Sequence, residues 1–339
     1  MGGWDSYCAI CGSTFKSHLS IDSDDETDLT YSGEVIGESD LQWLKTLRAI
    51  GLSAGNPKER KEQSLWLQET ILIFLLMKEA KCPGYARMFQ FLYPKVVLIL
   101  FRYYDPTHEG NQIVFPFHEV CYKDILLRCF KYEKINTDVF HALCEDRRED
   151  FRDQLALDYG NPHPPCEQYW QCRKGEEVLV THPVKIPQLI PYLGIIQELI
   201  VSEEKKHLAS RAVQVSHDIF DKLPYELRQE VFNLLPIPSV LALKSASFSM
   251  HVCPDLSWKQ KLETDIGWLW EVHDIDPFKS QALEARLSMI IAELEKKSRY
   301  TEGKVDYIPG LVNRRRIWAV CEKIRLLYHA KLAEAGGQQ

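Results

Sequence analysis

Leu223-Pro224-Tyr225-Glu226-Leu227-Arg228-Gln229-Glu230-Val231-Phe232-Asn233-Leu234-Leu235-Pro236-Ile237-Pro238-Ser239 is opened and closed by prolines. Proline gives up no hydrogen bond in the first turn of a helix, so Pro224 opens one in which Leu227, Val231 and Leu235 recur at every fourth position. Pro236 and Pro238 stop it. Ser239 is placed to cap a second apolar helix carrying Leu241, Leu243 and Ala246. Two helices this short do not bury all their apolar surface against each other, so part of it must face the rest of the chain or a partner.

The second helix ends in Ala246-Ser247, and Trp258-Lys259-Gln260-Lys261-Leu262 follows. The whole pattern, Leu-Pro-x-Glu-Leu-x-x-x-Val-Phe-x-x-Leu with these downstream residues, resembles the F-box and covers roughly a seventh of the chain. Phe248 stands in a region where many F-boxes carry Trp, so an aromatic is retained. The resemblance implies a three-helix module that binds the Skp-type adaptor of cullin-based ubiquitin ligases. Carried over residue by residue, the adaptor-binding set is Leu223, Pro224, Leu227, Val231, Phe232, Leu235, Leu241 and Leu243. Periodicity does not divide these between the adaptor face and the module's own core.

Composition bounds the rest. The chain has 339 residues and is 45% hydrophobic, enough for two or more cooperating units with buried cores. Its net charge of −7 is local. Residues 17–44 carry eight acids (Asp22, Asp24, Asp25, Glu26, Asp28, Glu34, Glu38 and Asp40) and no Lys or Arg, and the remainder nets one positive charge. No basic footprint for nucleic acid is announced, and the run is expected to be a solvated, mobile loop. Ten scattered cysteines fit reduced thiols, and no signal peptide is read at Met1-Gly2-Gly3-Trp4-Asp5, so cytoplasm and/or nucleus is the expected location. The most apolar segment, 65–77, is too short for the ~20 residues a bilayer requires and reads as a buried helix with Leu65, Leu67, Ile71, Phe74 and Leu75.

The expected fold is mainly α with minor β: an N-terminal α+β domain over 1–200, a linker over 201–214, the three-helix F-box over 215–271 and a C-terminal helical hairpin over 272–335. A helix starting at Leu41 is expected to carry Leu47 and Ile50 as far as Gly51. Strands are expected at 96–101 and 113–117, the second leading into a helix with Ile125, Leu126 and Cys129. The hairpin rests on two stripes, Leu283, Leu287, Ile290, Ile291 and Leu294, then Ile317, Cys321, Ile324 and Tyr328.

Two half-sites for a metal stand far apart. Cys8 and Cys11 form a tight Cys-x-x-Cys turn that supplies two corners of a tetrahedron, and His118 and Cys121 repeat the spacing at a strand-to-helix junction. Together they look like a treble-clef site for a structural zinc, closed because four protein ligands leave no position for substrate. The bland alternative is that His118 and Cys121 merely pack there. His18, and Cys166 and Cys172 with His163, are rival ligands.

The N-terminal half extends the resemblance. One large group of fungal F-box proteins is similar in opening with Cys-x-x-Cys-Gly, in an aromatic-Pro-aromatic-His-x-x-Cys segment like Phe115 to Cys121, and in a closing segment like Gly310-Leu311-Val312-Asn313-Arg314-Arg315-Arg316-Ile317-Trp318. Taken by itself, Asn313-Arg314-Arg315-Arg316 reads as a solvated helix start with acid partners, or as a nuclear address or phosphate contact. Trp268 and Trp270 read as a seam beside the F-box or a partner-binding patch.

No Gly-rich phosphate loop, Gly-x-Ser-x-Gly elbow or His-Glu-x-x-His helix is present, so no enzyme is expected. The expected function is that of a substrate receptor, joining a Skp-type adaptor and cullin complex to an unknown target protein, with no membrane and no nucleic acid as partner. A zinc-supported protein- or nucleic-acid-binding module is the rival class. A metalloenzyme would need an open coordination position.

Overall fold

The computed structural model describes residues 5–16, 19–22, 30–52, 65–71, 114–148, 154–204, 218–251, 261–273, 281–303 and 306–336. About 55% of this is helical with few strands, so the chain is mainly α. It divides into two compact units, Met1–Lys185 with Pro309–Gln339, and Ile186–Ile308.

In the first unit, the short parallel strands β1 (Ile21–Asp22) and β2 (Tyr31–Ser32) pair with each other. A 3-10 helix, Glu38–Lys45, leads into an antiparallel sheet of β3 (Thr46–Leu52), β4 (Leu65–Ile71) and β5 (Val114–His118) in the order β4-β3-β5. Pro116 has no N–H to give a further neighbour and accordingly lies on the edge strand, opposite Ala49. Strand β5 runs into a π-helical turn, Cys121–Leu126, that continues as α1, Leu127–Cys129. Helix α2 (Thr137–Asp146) starts at Asn136, whose side chain accepts from the N–H groups of Asp138 and Val139.

Three expectations give way here. The helix expected from Leu41 stops at Lys45, and the one expected over 65–77 is strand β4 as far as Ile71; residues 72–77 lie outside the described residues, as does the strand expected at 96–101. Leu47 and Ile50 sit on opposite faces of β3 and both are buried, a pattern that a helical period mimics. Cross-strand pairing then decides for β: Ile50 lies opposite Leu67 and Phe115. The acidic run is not all solvated loop either. Its second half carries the buried Tyr31, Ile36, Leu41, Trp43 and Leu44, with Trp43 Nε1 donating to Val180 O and Trp170 Nε1 to the Tyr31 hydroxyl.

The second unit holds α3 (Ile190–Glu204), α4 (Tyr225–Leu234), α5 (Ile237–Ala246), α6 (Phe248–His251) and α7 (Gln281–Lys297). Helix α7 packs on α5 and α3. Trp268, Leu269 and Val272 are buried within this unit, so Trp268 is core and not an open aromatic patch. Helix α8 (Pro309–Gly336) belongs to the first unit, where it packs on α2, α1 and the π-turn. The two stripes read as one hairpin therefore bury their apolar faces in different units.

Asp218 organises the start of the Pro-opened module. Its carboxylate accepts from Ser249 N at 2.9 Å, Ser247 Oγ at 2.7 Å and Phe220 N at 2.9 Å. The Ser249 N–H, with those two further donors, outweighs desolvation and holds the pKa down to about 2, against an ordinary value of 3.8. A depressed folded-state pKa stabilises above the unfolded value and is lost as pH falls through the folded one. Asp218→Asn should therefore melt below wild type at pH 7, and the gap should close between about pH 4 and about pH 2. Melting curves across that range check it; a gap independent of pH contradicts the role.

Candidate metal centre

The N-terminal knuckle is built by its own backbone. Tyr7 and Thr14 form an antiparallel bridge, Cys8 N donates to Ser13 O at 2.9 Å and Gly12 N to Cys8 O at 2.8 Å. Ala9 N then donates to Pro116 O at 2.8 Å, which fastens the turn to the edge strand. These peptides are buried, so their carbonyls need partners. The Tyr159 hydroxyl donates to Ala9 O at 2.9 Å, Gln154 Nε2 to Gly12 O at 2.9 Å and Arg316 Nη1 to Cys11 O at 2.7 Å. Burial pushes the Tyr159 pKa well up, so it stays a donor.

Gly12 completes the turn at φ +73°, where a Cβ would also lie 2.5 Å from Pro164 Cγ. Gly12→Ala should destabilise by about 2–3 kcal/mol, combining left-handed strain with overpacking. Gly175→Ala is the control: φ is +94° there but a Cβ meets nothing within 4 Å, so only about 1 kcal/mol of strain is expected. Denaturant unfolding of both variants measures the difference, and equal losses would remove the steric part.

The knuckle and the end of β5 bring Cys8, Cys11, His118 and Cys121 together, all buried, with one ligand atom from each lying within 4.8 Å of every other. Tetrahedral sulfurs ~2.3 Å from a zinc ion lie about 3.8 Å apart, so a small contraction closes the site. His118 presents Nδ1, 3.3 Å from Cys11 Sγ and 4.0 Å from Cys121 Sγ. Its Nε2 lies 3.2 Å from the Thr14 carbonyl, which fixes Nε2 as the protonated nitrogen and frees Nδ1 as a ligand. The ring is held between Phe15 and Trp43, at centroid distances of 4.4 and 4.5 Å. Cys8 Sγ accepts from the N–H groups of Cys11 at 3.4 Å and His118 at 3.3 Å, contacts that favour a thiolate.

Burial opposes ionisation of Cys11, but hydrogen bonds from Cys121 and Cys8 and the adjacent His118 hold it well below its ordinary range. Burial, followed by the hydrogen bond each shares with Cys11, pushes Cys8 and Cys121 well above theirs. Three soft sulfurs and one imidazole, buried and within 4.8 Å of one another, could hold a metal ion and are compatible with zinc.

The rival ligands are not gathered here. Cys166 is exposed and donates to Gln154 Oε1, His163 is exposed, and His18 lies outside the described residues. Among the described residues the Cys8 group is the one cluster of this kind.

The Arg run is corrected. Asn313, Arg314 and Arg316 are buried, so at these positions it is neither a solvated helix start nor an open address. Asn313 Nδ2 donates to Thr181 O at 2.7 Å, and Arg314 donates to Pro183 O at 2.7 Å and Val184 O at 3.1 Å.

In the second unit, the stripe read as Leu227, Val231 and Leu235 is rotated by one residue. Phe232 turns inward and is fully buried, the half-buried Arg228 donates through Nη1 to Ser249 O, and Leu235 is half-buried. Leu227 and Leu234, seven apart on one face, are 51% and 80% exposed, with the half-buried Val231 between them. Ile219 and Tyr225 are exposed as well. Of the remaining expected adaptor contacts, Pro224 is exposed, Leu223 and Leu243 are half-buried, and the Leu241 side chain lies outside the described residues.

No protein-family model, curated protein or solved structure matches the chain. No described helix is long and apolar enough to cross a membrane.

Proposed function

We propose that the chain is a non-catalytic substrate receptor of a cullin-type ubiquitin ligase, docking a Skp-type adaptor through residues 218–262 and carrying a structural zinc in its first unit. The observation that carries this reading is the outward apolar row on α4: Leu227 and Leu234 stand in solvent while Phe232 fills the core behind them. A helix opened by proline and stopped by proline holds that row on a short, rigid support. Apolar side chains this exposed and this regularly spaced form a partner surface, and the F-box resemblance supplies the class of partner.

The mechanism is proximity. Holding a target lysine beside a ubiquitin thioester raises its effective concentration without a catalytic group from this chain. Zinc, once bound by Cys8, Cys11, His118 and Cys121, would supply cross-linking of the N-terminal knuckle to β5 and no chemistry on a substrate. The working location is cytoplasm and/or nucleus, with neither membrane nor nucleic acid as partner. Affinity purification of the tagged chain with mass spectrometry reports adaptor and target together; a stoichiometric Skp-type adaptor supports the proposal, and its absence from a soluble, folded preparation opposes it.

A further inference from the structure

Arg316 is buried to 4% exposure beside the metal centre, yet among the described residues it pairs with no carboxylate. Its Nη1 donates to the carbonyls of Cys11 at 2.7 Å and Tyr159 at 3.2 Å, its Nη2 to Asn313 Oδ1 at 2.9 Å, and its Nε has no hydrogen-bond partner. Neutral acceptors satisfy the donors but not the charge, and an uncompensated buried cation is strongly unfavourable. The backbone makes room for it: Gly160, at φ +77°, approaches so closely that a Cβ there would lie 3.0 Å from Arg316 Cγ.

The opposite imbalance lies next door. A divalent ion held by three thiolates and a neutral imidazole carries one net negative charge, in a site whose ligands are all buried. We infer that Arg316 is the built-in counter-ion of the metal–thiolate centre, carried on the C-terminal helix α8 and set against the peptide of Cys11. The inference rests on the metal reading proposed above. It makes Arg316 a positioning and charge-balancing residue, so that the first and last parts of the chain are joined by electrostatics as well as by packing.

Zinc affinity, by competition with a chromophoric chelator, tests it in wild type, Arg316→Gln and Arg316→Lys, each with the natural ligands and with Cys121→His. Arg316→Gln should weaken zinc about ten- to a hundred-fold, and Arg316→Lys, which keeps the charge, by less than about fivefold. With Cys121→His the centre is electrically neutral, and the Arg316→Gln loss should shrink below about threefold. Equal losses for Gln and Lys, or a Gln loss of the same size in both ligand sets, would mean a packing role and overturn the inference. The Lys variant keeps the comparison readable where Gln impairs folding: a Lys loss as large as a hundred-fold also overturns it. Wild-type protein without stoichiometric zinc would overturn the metal reading itself, and the counter-ion with it.

Discussion

Cys121→Ser is expected to release zinc from the purified chain and to lower its melting temperature by about 10 °C or more, the shift that about 4 kcal/mol produces in a unit of this size. Cys8 and Cys11 lie at one end of the first unit and His118 and Cys121 more than a hundred residues on, so the ion would close a long loop as well as fill a cavity. Structural zinc in small domains supplies on the order of 10 kcal/mol of folding free energy, and removing one of four ligands forfeits much of it. Cys166→Ser is the control: that thiol is exposed and outside the cluster, so zinc and melting temperature should both hold. Metal analysis and thermal melts on the same preparations decide between a ligand and a bystander.

Capture of a Skp-type adaptor should fall at least a hundredfold in a Leu227→Asp, Leu234→Asp double variant, since two central apolar contacts contribute about 1–2 kcal/mol or more each. Because both side chains are exposed, the melting temperature should stay within about 2 °C of wild type. Phe232→Ala behaves oppositely. It empties a fully buried position and should destabilise by about 3–5 kcal/mol, so any loss of binding there tracks unfolding. Undiminished capture by the exposed-face variant would remove the adaptor reading while leaving the fold intact.

The residues that converge on the metal centre were legible because their chemistry is written in short spacings. Cys-x-x-Cys and His-x-x-Cys each declare a half-site, and strand β5 with its π-turn was placed within a residue or two. What joins the halves was not legible, because Ala9 N to Pro116 O is a pairing across more than a hundred residues. Strand β4 failed for the same reason, since an apolar segment shows its period but not its neighbour. On α4 the periodicity gave a stripe one residue out of register, because Phe232 fills the core while Leu227 and Leu234 are left outside.

Arg316 is the instructive miss. Val312, Arg316 and Val320 recur at every fourth position and all three are buried, so the arginine sits on the core stripe of α8. A charge on a core stripe announces a buried partner, a signal that the run of three arginines hid.

The most direct measurement is X-ray absorption at the zinc edge on the purified 339-residue chain, with metal content measured in parallel. The expected result is one zinc per chain with three sulfur neighbours at about 2.3 Å and one nitrogen at about 2.0–2.1 Å, and no stoichiometric zinc left in Cys121→Ser. No stoichiometric zinc in wild type, or a coordination shell unchanged by Cys121→Ser, would contradict a closed centre joining the knuckle to β5.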